Sequence, residues 1–442
     1  MNNFFRKVRN KLKDYFDTFI IKFSLFLNSP WLTAVFFVFL SREINNSGSF
    51  TVLCMRRSIF MDDITAMAEF SGKINYRILN RGYFNLILTH FTGDRERAKI
   101  SESNYHNSNY GREGKEKYRL YLDKMFPVLK KFINFKAVLV AHYGYVEQQE
   151  FVAVCNKYRM PFIVLYKEGM VSPGTHNQWA LKAHKGYKFT QAKMLVYNTN
   201  IMNAILCVNV PGLTLDKIKV VGIPRTDRYF HRDSKQNKSL DKQIVLFSAY
   251  FYDKLSTLLP GGSQQQIEAV MKKFEEFHKI IMDFALKHPD IKVVIKTKIY
   301  KKFFDYVNDI YKKYFREKIN NLTITSNADS IRLIKDSKVV IGFGSTTLIE
   351  ALAAGKTIIS FDFGDLLADD SFDYFRSYPG LVNYAKNKQD LEEFILNYEK
   401  YNHADPALKQ KFLEEFLYMP DGHSSSRAES EIIKAIDNYL KS

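Results

Sequence analysis

A chain of 442 residues exceeds what one hydrophobic core usually supports, since cores stop growing near ~250 to 300 residues, so two domains are expected. Its 46% hydrophobic and 25% charged content excludes collagen-like and mainly disordered chains. Three cysteines (Cys54, Cys155, Cys207) without CxxC spacing argue against a disulfide framework or a zinc site and fit a reducing cytoplasm, while a net charge of +18 without an RNA-binding signature favours phosphorylated substrates or anionic lipid over nucleic acid as partner.

Phe4, Phe5, Val8, Leu12, Tyr15, Phe16 and Phe19 recur at helical spacing, with Arg6, Lys7, Arg9, Lys11 and Lys13 between them, which predicts a basic amphipathic helix. The apolar run from Thr18 to Leu40 has the length of a membrane span, but Lys22 and Asn28-Ser29-Pro30 interrupt it. It continues into Ser41-Arg42-Glu43 without a cleavage site, so no export is expected. Residues 1–48 then form a helical extension that either packs on a core or attaches to the inner face of the cytoplasmic membrane through anionic lipid.

From Phe50 short apolar runs alternate with amphipathic ones. Strands are expected at Phe50–Met55, Asn85–Leu88, Ala137–Ala141, Phe162–Tyr166, Met194–Tyr197 and Ile218–Val221, with a long polar loop from Arg95 to Lys117. This defines a first parallel-sheet domain over 49–230. The stretch between Tyr229 and Gln243 lacks apolar periodicity and reads as a linker. A second series follows over 243–442. Its strands are Ile244–Phe247, Lys292–Ile295, Leu322–Thr325, Val339–Ile341 and Thr357–Phe361, and helices are expected at Gln264–Lys287, around Phe303–Phe315, near Ser330 and from Thr346. Two doubly wound sheets would face one another across a cleft, with chemistry in the βα loops beyond the strand ends.

The richest stretch is Val339-Val340-Ile341-Gly342-Phe343-Gly344-Ser345-Thr346-Thr347-Leu348-Ile349-Glu350, a buried strand ending in a small-residue turn that opens a helix. Gly344 permits close backbone approach, and the hydroxyls of Ser345, Thr346 and Thr347 lie beside the unpaired amides of a helix start, which favour phosphate. The alternative use of Ser345 or Thr346 is to cap the helix. With Glu350 and the following Ala351-Leu352-Ala353-Ala354-Gly355-Lys356, the unit resembles the donor site of GT-B glycosyltransferases. The resemblance implies that Ser345 to Thr347 meet donor phosphates and that Glu350 meets ribose or sugar hydroxyls.

Three shorter stretches carry related resemblances. Gly222-Ile223-Pro224-Arg225-Thr226-Asp227 is similar to the Gly-x-Pro-Arg-x-Asp signature of the CDP-glycerol glycerophosphotransferase group, placing Arg225 at a cleft mouth facing an anion; the alternative is an Arg225–Asp227 pair across a turn. His288-Pro289 through Lys296-Thr297-Lys298 resembles an element of that group, with Lys298 where a His would stand, so Lys296 or Lys298 would supply positive charge to a pyrophosphate. Tyr166-Lys167-Glu168-Gly169-Met170-Val171-Ser172-Pro173-Gly174 resembles the acidic element of capsule Kdo transferases, with Val171 in place of an Arg. Glu168 is thereby the candidate general base, and His142 and His176 are further candidates for proton transfer.

These features predict a GT-B enzyme moving a group from a nucleotide-activated donor to a surface polysaccharide, such as capsule or lipopolysaccharide, or to a lipid-linked acceptor. Asp369-Asp370 lies beyond the donor unit, and neither a metal nor a cofactor is expected. A nucleotide-sugar 2-epimerase shares the Gly-Ser-x-x-x-x-Glu helix start, and an inactive polymer-binding scaffold would account for the missing Arg and His.

Overall fold

A computed structural model describes residues 2–45, 47–56, 58–171, 176–231, 242–248, 262–367, 373–402 and 404–441. The chain divides into two compact units, one of Met1–Val171, His176–Asp227 and Leu417–Ser442, the other containing Arg228–Phe416. The Tyr229–Gln243 linker lies largely outside the described residues.

The first unit is built on seven strands: β1 (Arg42–Ile44), β2 (Phe50–Arg56), β3 (Ile74–Asn80), β4 (Phe135–Val140), β5 (Phe162–Leu165), β6 (Lys193–Val196) and β7 (Ile218–Val220). Their order is β1-β3-β2-β4-β5-β6-β7, with only β1 antiparallel to its neighbour. β4 and β5 are almost wholly buried, as parallel strands covered on both faces must be. The strand order reverses between β2 and β4, which puts a topological switch point at their carboxyl ends.

The second sheet has β8 (Gln243–Phe247), β9 (Lys292–Lys296), β10 (Leu322–Thr325), β11 (Val339–Gly342), β12 (Thr357–Phe361) and β13 (Asn383–Ala385). All are parallel in the order β10-β9-β8-β11-β12-β13, which is the 3-2-1-4-5-6 order of a Rossmann sheet. The switch point here lies between β8 and β11. Two Rossmann-like α/β units are therefore present, as the alternation of elements predicted.

Four sequence expectations need correction. Asn85–Leu88 is not a strand but the middle of the helix Arg81–Thr92, started by Asn80, whose side chain accepts the Gly82 N–H at 3.0 Å; the strand is β3, just upstream. The expected loop 95–117 is shorter, because Asp94–Lys99 is helical and a long helix, Arg112–Ile133, begins inside it. The 1–48 segment is not a body apart from the two domains but part of the first unit, as its core-packing alternative expects. Its helices, Asn2–Phe26 and Pro30–Leu40, bury Ile21, Leu25, Ala34 and Phe37 in the first core, and a hydroxyl chain ties Ser24 to Thr33 (2.7 Å) and Thr33 to Tyr121 (2.6 Å).

The fourth correction concerns 243–442, since Leu417–Ser442 returns to the first unit. The helix Ser424–Lys441 is held there by charge-assisted bonds. Asp227 accepts the N–H groups of Ser424 (3.0 Å) and Ser425 (2.7 Å) at its N-terminus. Buried Glu429 accepts the Tyr76 hydroxyl (2.5 Å) and the Lys73 N–H (2.8 Å), and Lys193 pairs with Glu431 at 2.5 Å.

Candidate functional site

In the second unit, strand register brings the predicted donor residues to one edge. Lys296 is the register partner of Phe247, and Phe247 that of Gly342, so the ends of β9, β8 and β11 stand in a row. With neighbouring strands ~4.8 Å apart, the row spans about 10 Å, a span that a diphosphate with its flanking groups could bridge. The sequence turns at Gly344, whose φ of 51° is in the left-handed region that glycine adopts without penalty, and enters the helix Thr346–Ala353.

Ser345 is the N-cap of that helix. Its Oγ accepts the Thr347 N–H at 3.3 Å and shares a 2.6 Å hydrogen bond with Thr347 Oγ1, so the capping alternative holds for this hydroxyl. Thr346, half-buried at the first turn, makes no side-chain hydrogen bond among the described residues and is the freest of the three hydroxyls. Glu350 is buried and accepts the Tyr229 hydroxyl at 2.9 Å. Lys296 donates to the carbonyl oxygens of Thr297 (2.7 Å) and Ser326 (3.1 Å), which leaves one of its three N–H donors for a ligand, and burial lowers its pKa. Lys298 is exposed with its ammonium 5.7 Å from the Phe303 ring centroid.

The edge also holds residues that the sequence did not single out. Ser248, immediately after β8, shares a 2.8 Å bond with Nε2 of His278, whose Nδ1 lies 2.7 Å from the Phe274 carbonyl. That carbonyl can only accept, so Nδ1 carries the proton, and burial keeps the ring neutral by lowering its pKa. Ser248 therefore donates to His278, and its lone pairs remain available. A polar residue just past a strand end at the switch point is the signal that marks Ser248; Tyr229 gave no local signal.

In the first unit, His142 and Glu168 follow β4 and β5, adjacent strands whose loops are linked by the Lys167 N–H to Ala141 carbonyl bond at 3.2 Å. His142 is buried against Tyr143, Tyr145, Tyr166 and Tyr187, and its Nδ1 accepts the Gly144 N–H at 2.9 Å. In its neutral form the proton then sits on Nε2, which makes that nitrogen a donor rather than a base. Glu168 is exposed and ion-paired with the neighbouring Lys167. His176 opens the helix His176–His184 and is half-buried; Ser172, Pro173 and Gly174 of the acidic motif lie outside the described residues, as do Asp369 and Asp370.

Arg225 departs from its expected placement at a cleft mouth. It is buried, its guanidinium reaches both carboxylate oxygens of Asp63 at 3.3 and 3.4 Å and the Tyr197 hydroxyl at 3.1 Å, and its N–H donates to Asp63 at 3.1 Å. The Arg225–Asp227 pair is likewise not formed, because Asp227 caps the C-terminal helix. Both residues of this motif hold the first unit together.

No family model matches the chain, and no curated relative matches it. Among solved structures, it is similar to a UDP-GlcNAc 2-epimerase from Neisseria meningitidis bound to UDP-GlcNAc, at 12% identity over 87% of this chain and 99% of that one, with a TM-score of 0.44. It is similar as well to a putative UDP-N-acetylglucosamine 2-epimerase from Listeria monocytogenes (10%, 88% and 97%, TM-score 0.49). A third is a UDP-forming trehalose-phosphate synthase from Burkholderia xenovorans (12%, 89% and 99%, TM-score 0.40). Likeness at this level carries no argument about activity, and the fold class rests on the two sheets themselves.

Beside His142 lies a buried imidazole with a measurable consequence. His184 sits between Tyr143, whose hydroxyl is 2.5 Å from Nδ1, and Tyr166, 3.4 Å from Nε2, and burial pushes its pKa down to about 4. A depressed folded-state value means that the unfolded chain takes the proton first, so stability is complete above pH ~6.5 and falls as pH drops towards 4. The expected loss from this group is about 3 kcal/mol, at ~1.36 kcal/mol per pH unit. Urea melts of wild type and His184→Gln at pH 7 and pH 4.5 measure it, and equal pH dependence in the two would contradict the assignment.

Proposed function

We propose that the chain transfers a group from a nucleotide-activated donor to the hydroxyl of a surface polysaccharide or lipid-linked acceptor, in the manner of a GT-B enzyme. The observation that carries this reading is the row of Lys296, Phe247-Ser248 and Gly342–Thr347 at the switch point of a 3-2-1-4-5-6 sheet, where such sheets bind phosphorylated ligands. Thr346, the main chain after Gly344 and the remaining Lys296 donor would hold the donor phosphates, Lys298 would add positive charge, and Glu350 with Tyr229 would meet the hydroxyls of the ribose or sugar. The acceptor oxygen forms the new bond as the bond to the nucleotide phosphate breaks, and Glu168 takes the acceptor proton. The reading asks for no metal and no cofactor.

Melting curves with CMP, CDP, UDP and GDP test it, because a ligand at ~100 times its dissociation constant stabilises by ~2.7 kcal/mol. Ser345→Ala with Thr346→Ala should weaken nucleotide binding by about 1.5 to 3 kcal/mol, the usual cost of a charge-assisted hydrogen bond. A fall in unliganded stability as large as the fall in affinity would assign these hydroxyls to capping alone. Glu350 on the Gly-Ser-x-x-x-x-Glu helix start also suits a nucleotide-sugar 2-epimerase. Conversion of a free nucleotide sugar to its 2-epimer without acceptor would establish that second reading, and polymer binding without nucleotide release would point to a scaffold.

A further inference from the structure

The most anomalous surface of the molecule is on its first two helices. Phe16, Phe19, Phe23, Phe26, Trp31 and Phe39 are all largely solvent-exposed, Phe26 at 83% and Phe39 at 74%. Phe19 and Phe23 stack with ring centroids 6.4 Å apart, and six exposed aromatics on two consecutive helices mark an interaction surface rather than the scattered apolar residues of an ordinary exterior. They are not loose, because the opposite faces of the same helices are fixed in the core through Ile21, Leu25, Ala34 and Phe37, and Asp17 accepts the Tyr83 hydroxyl at 2.9 Å.

We infer that this ridge is a docking surface for the interface of an anionic lipid bilayer, entered by aromatic side chains from one side without crossing. Among the described residues no helix is long and apolar enough to cross a membrane, and the run from Thr18 to Leu40 is divided between the helices Asn2–Phe26 and Pro30–Leu40. Phe and Trp are side chains that partition to the boundary between head groups and acyl chains. In the sequence, apolar residues 4, 5, 8 and 12 repeat at the same helical spacing as 15, 16, 19, 23 and 26. The first 13 residues carry Arg6, Lys7, Arg9, Lys11 and Lys13 with no acid, and exposed Lys22 and Arg56 add to them, against exposed Asp14. This charge complements anionic head groups. A second copy of the chain is the poorer occupant, because each copy carries a net charge of +18.

The test uses the full chain with Trp179→Phe, which leaves Trp31 as the one tryptophan of the two in the sequence. The protein is mixed with phosphatidylcholine vesicles with and without phosphatidylglycerol. The expected result is flotation with the anionic vesicles at low salt, a blue shift of Trp31 emission, and release as salt rises. Phe19→Ser with Phe23→Ser and Phe26→Ser should cut partitioning by about a hundredfold or more. Because those positions are exposed, the melting temperature should be unchanged. The control pair Leu286→Ser with Ile299→Ser, also exposed but on the other unit, should bind as wild type. Equal partitioning of the triple variant and wild type, or a Trp31 spectrum unaltered by vesicles, would overturn the inference. So would a dimer in solution that the triple variant abolishes while no vesicle is bound. Nucleotide-dependent stabilisation should be the same in all of these variants, so failure of docking and failure of the donor reading are separable.

Discussion

Arg225→Met is expected to destabilise the first unit by about 3 to 5 kcal/mol, because it leaves the Asp63 carboxylate buried without its cation. Asp63 has no exposed surface and accepts from the Arg225 guanidinium, the Arg225 N–H and the Tyr197 hydroxyl, whose own bond is 2.6 Å. Asp63→Asn keeps the side chain's size but removes the charge that faces the Arg225 guanidinium, so it should also be costly. The double variant Asp63→Asn with Arg225→Met should recover part of the loss, since neither charge is then left alone. Denaturant melts of the four proteins measure the coupling, and strictly additive losses would show that the two side chains act independently. The same variants decide between the structural role and the anion-facing role that the motif suggested. A donor or acceptor ligand would lose affinity with the melting curve unchanged, whereas a buried ion pair lowers stability first.

That residue also shows what the sequence could and could not reveal. Strand β11, the turn at Gly344 and the helix from Thr346 were legible because buried strand, glycine and hydroxyl cap follow one another along a single stretch, where local rules decide. Nothing local marks the Asp63 contact of Arg225, because that partner lies 162 positions away and no local pattern encodes a pairing at that distance. The C-terminal helix reads as part of the second unit for the same reason, although it packs in the first. Its anchoring residue, Glu429, reads as an ordinary surface carboxylate until Tyr76 and Lys73 are seen around it. The missed strand β3 is a different kind of error, since Ile74, Tyr76 and Ile78 alternate with polar residues and all three are buried. The apolar run Leu86-Ile87-Leu88 drew the assignment instead, although the Asn80 cap and the buried Tyr83, Phe84, Ile87 and Leu88 have helical spacing. Of the candidate site, the edge formed by the ends of β9, β8 and β11 could be read from residue types. The tyrosine and histidine supports, Tyr229 and His278, required the packing.

Glu168→Gln is expected to reduce turnover by roughly a hundredfold or more, the scale for loss of a general base, with donor affinity unchanged. Among the three candidates for proton transfer, His142 presents a protonated Nε2 while its Nδ1 is occupied by the Gly144 N–H, and His176 lies at the start of a separate helix. Glu168, three residues beyond the end of β5, has a carboxylate that can only accept and is open to solvent. Its backbone setting is fixed by Asn198, which donates to the Gly169 carbonyl at 2.9 Å. The competing role is structural: the Lys167 side chain is nearly buried, and the Glu168 carboxylate neutralises it. The two roles separate in measurement. If Glu168 serves Lys167, then Glu168→Gln and Lys167→Met should both lower the melting temperature, and turnover per folded molecule should stay near wild type. If it is the base, Glu168→Gln should melt close to wild type, bind nucleotide equally well and lose turnover, while Lys167→Met should keep most of it. Wild-type turnover in Glu168→Gln with the natural acceptor would remove Glu168 as the base; because His142 presents a donor, His176→Gln would then be the variant expected to lose turnover.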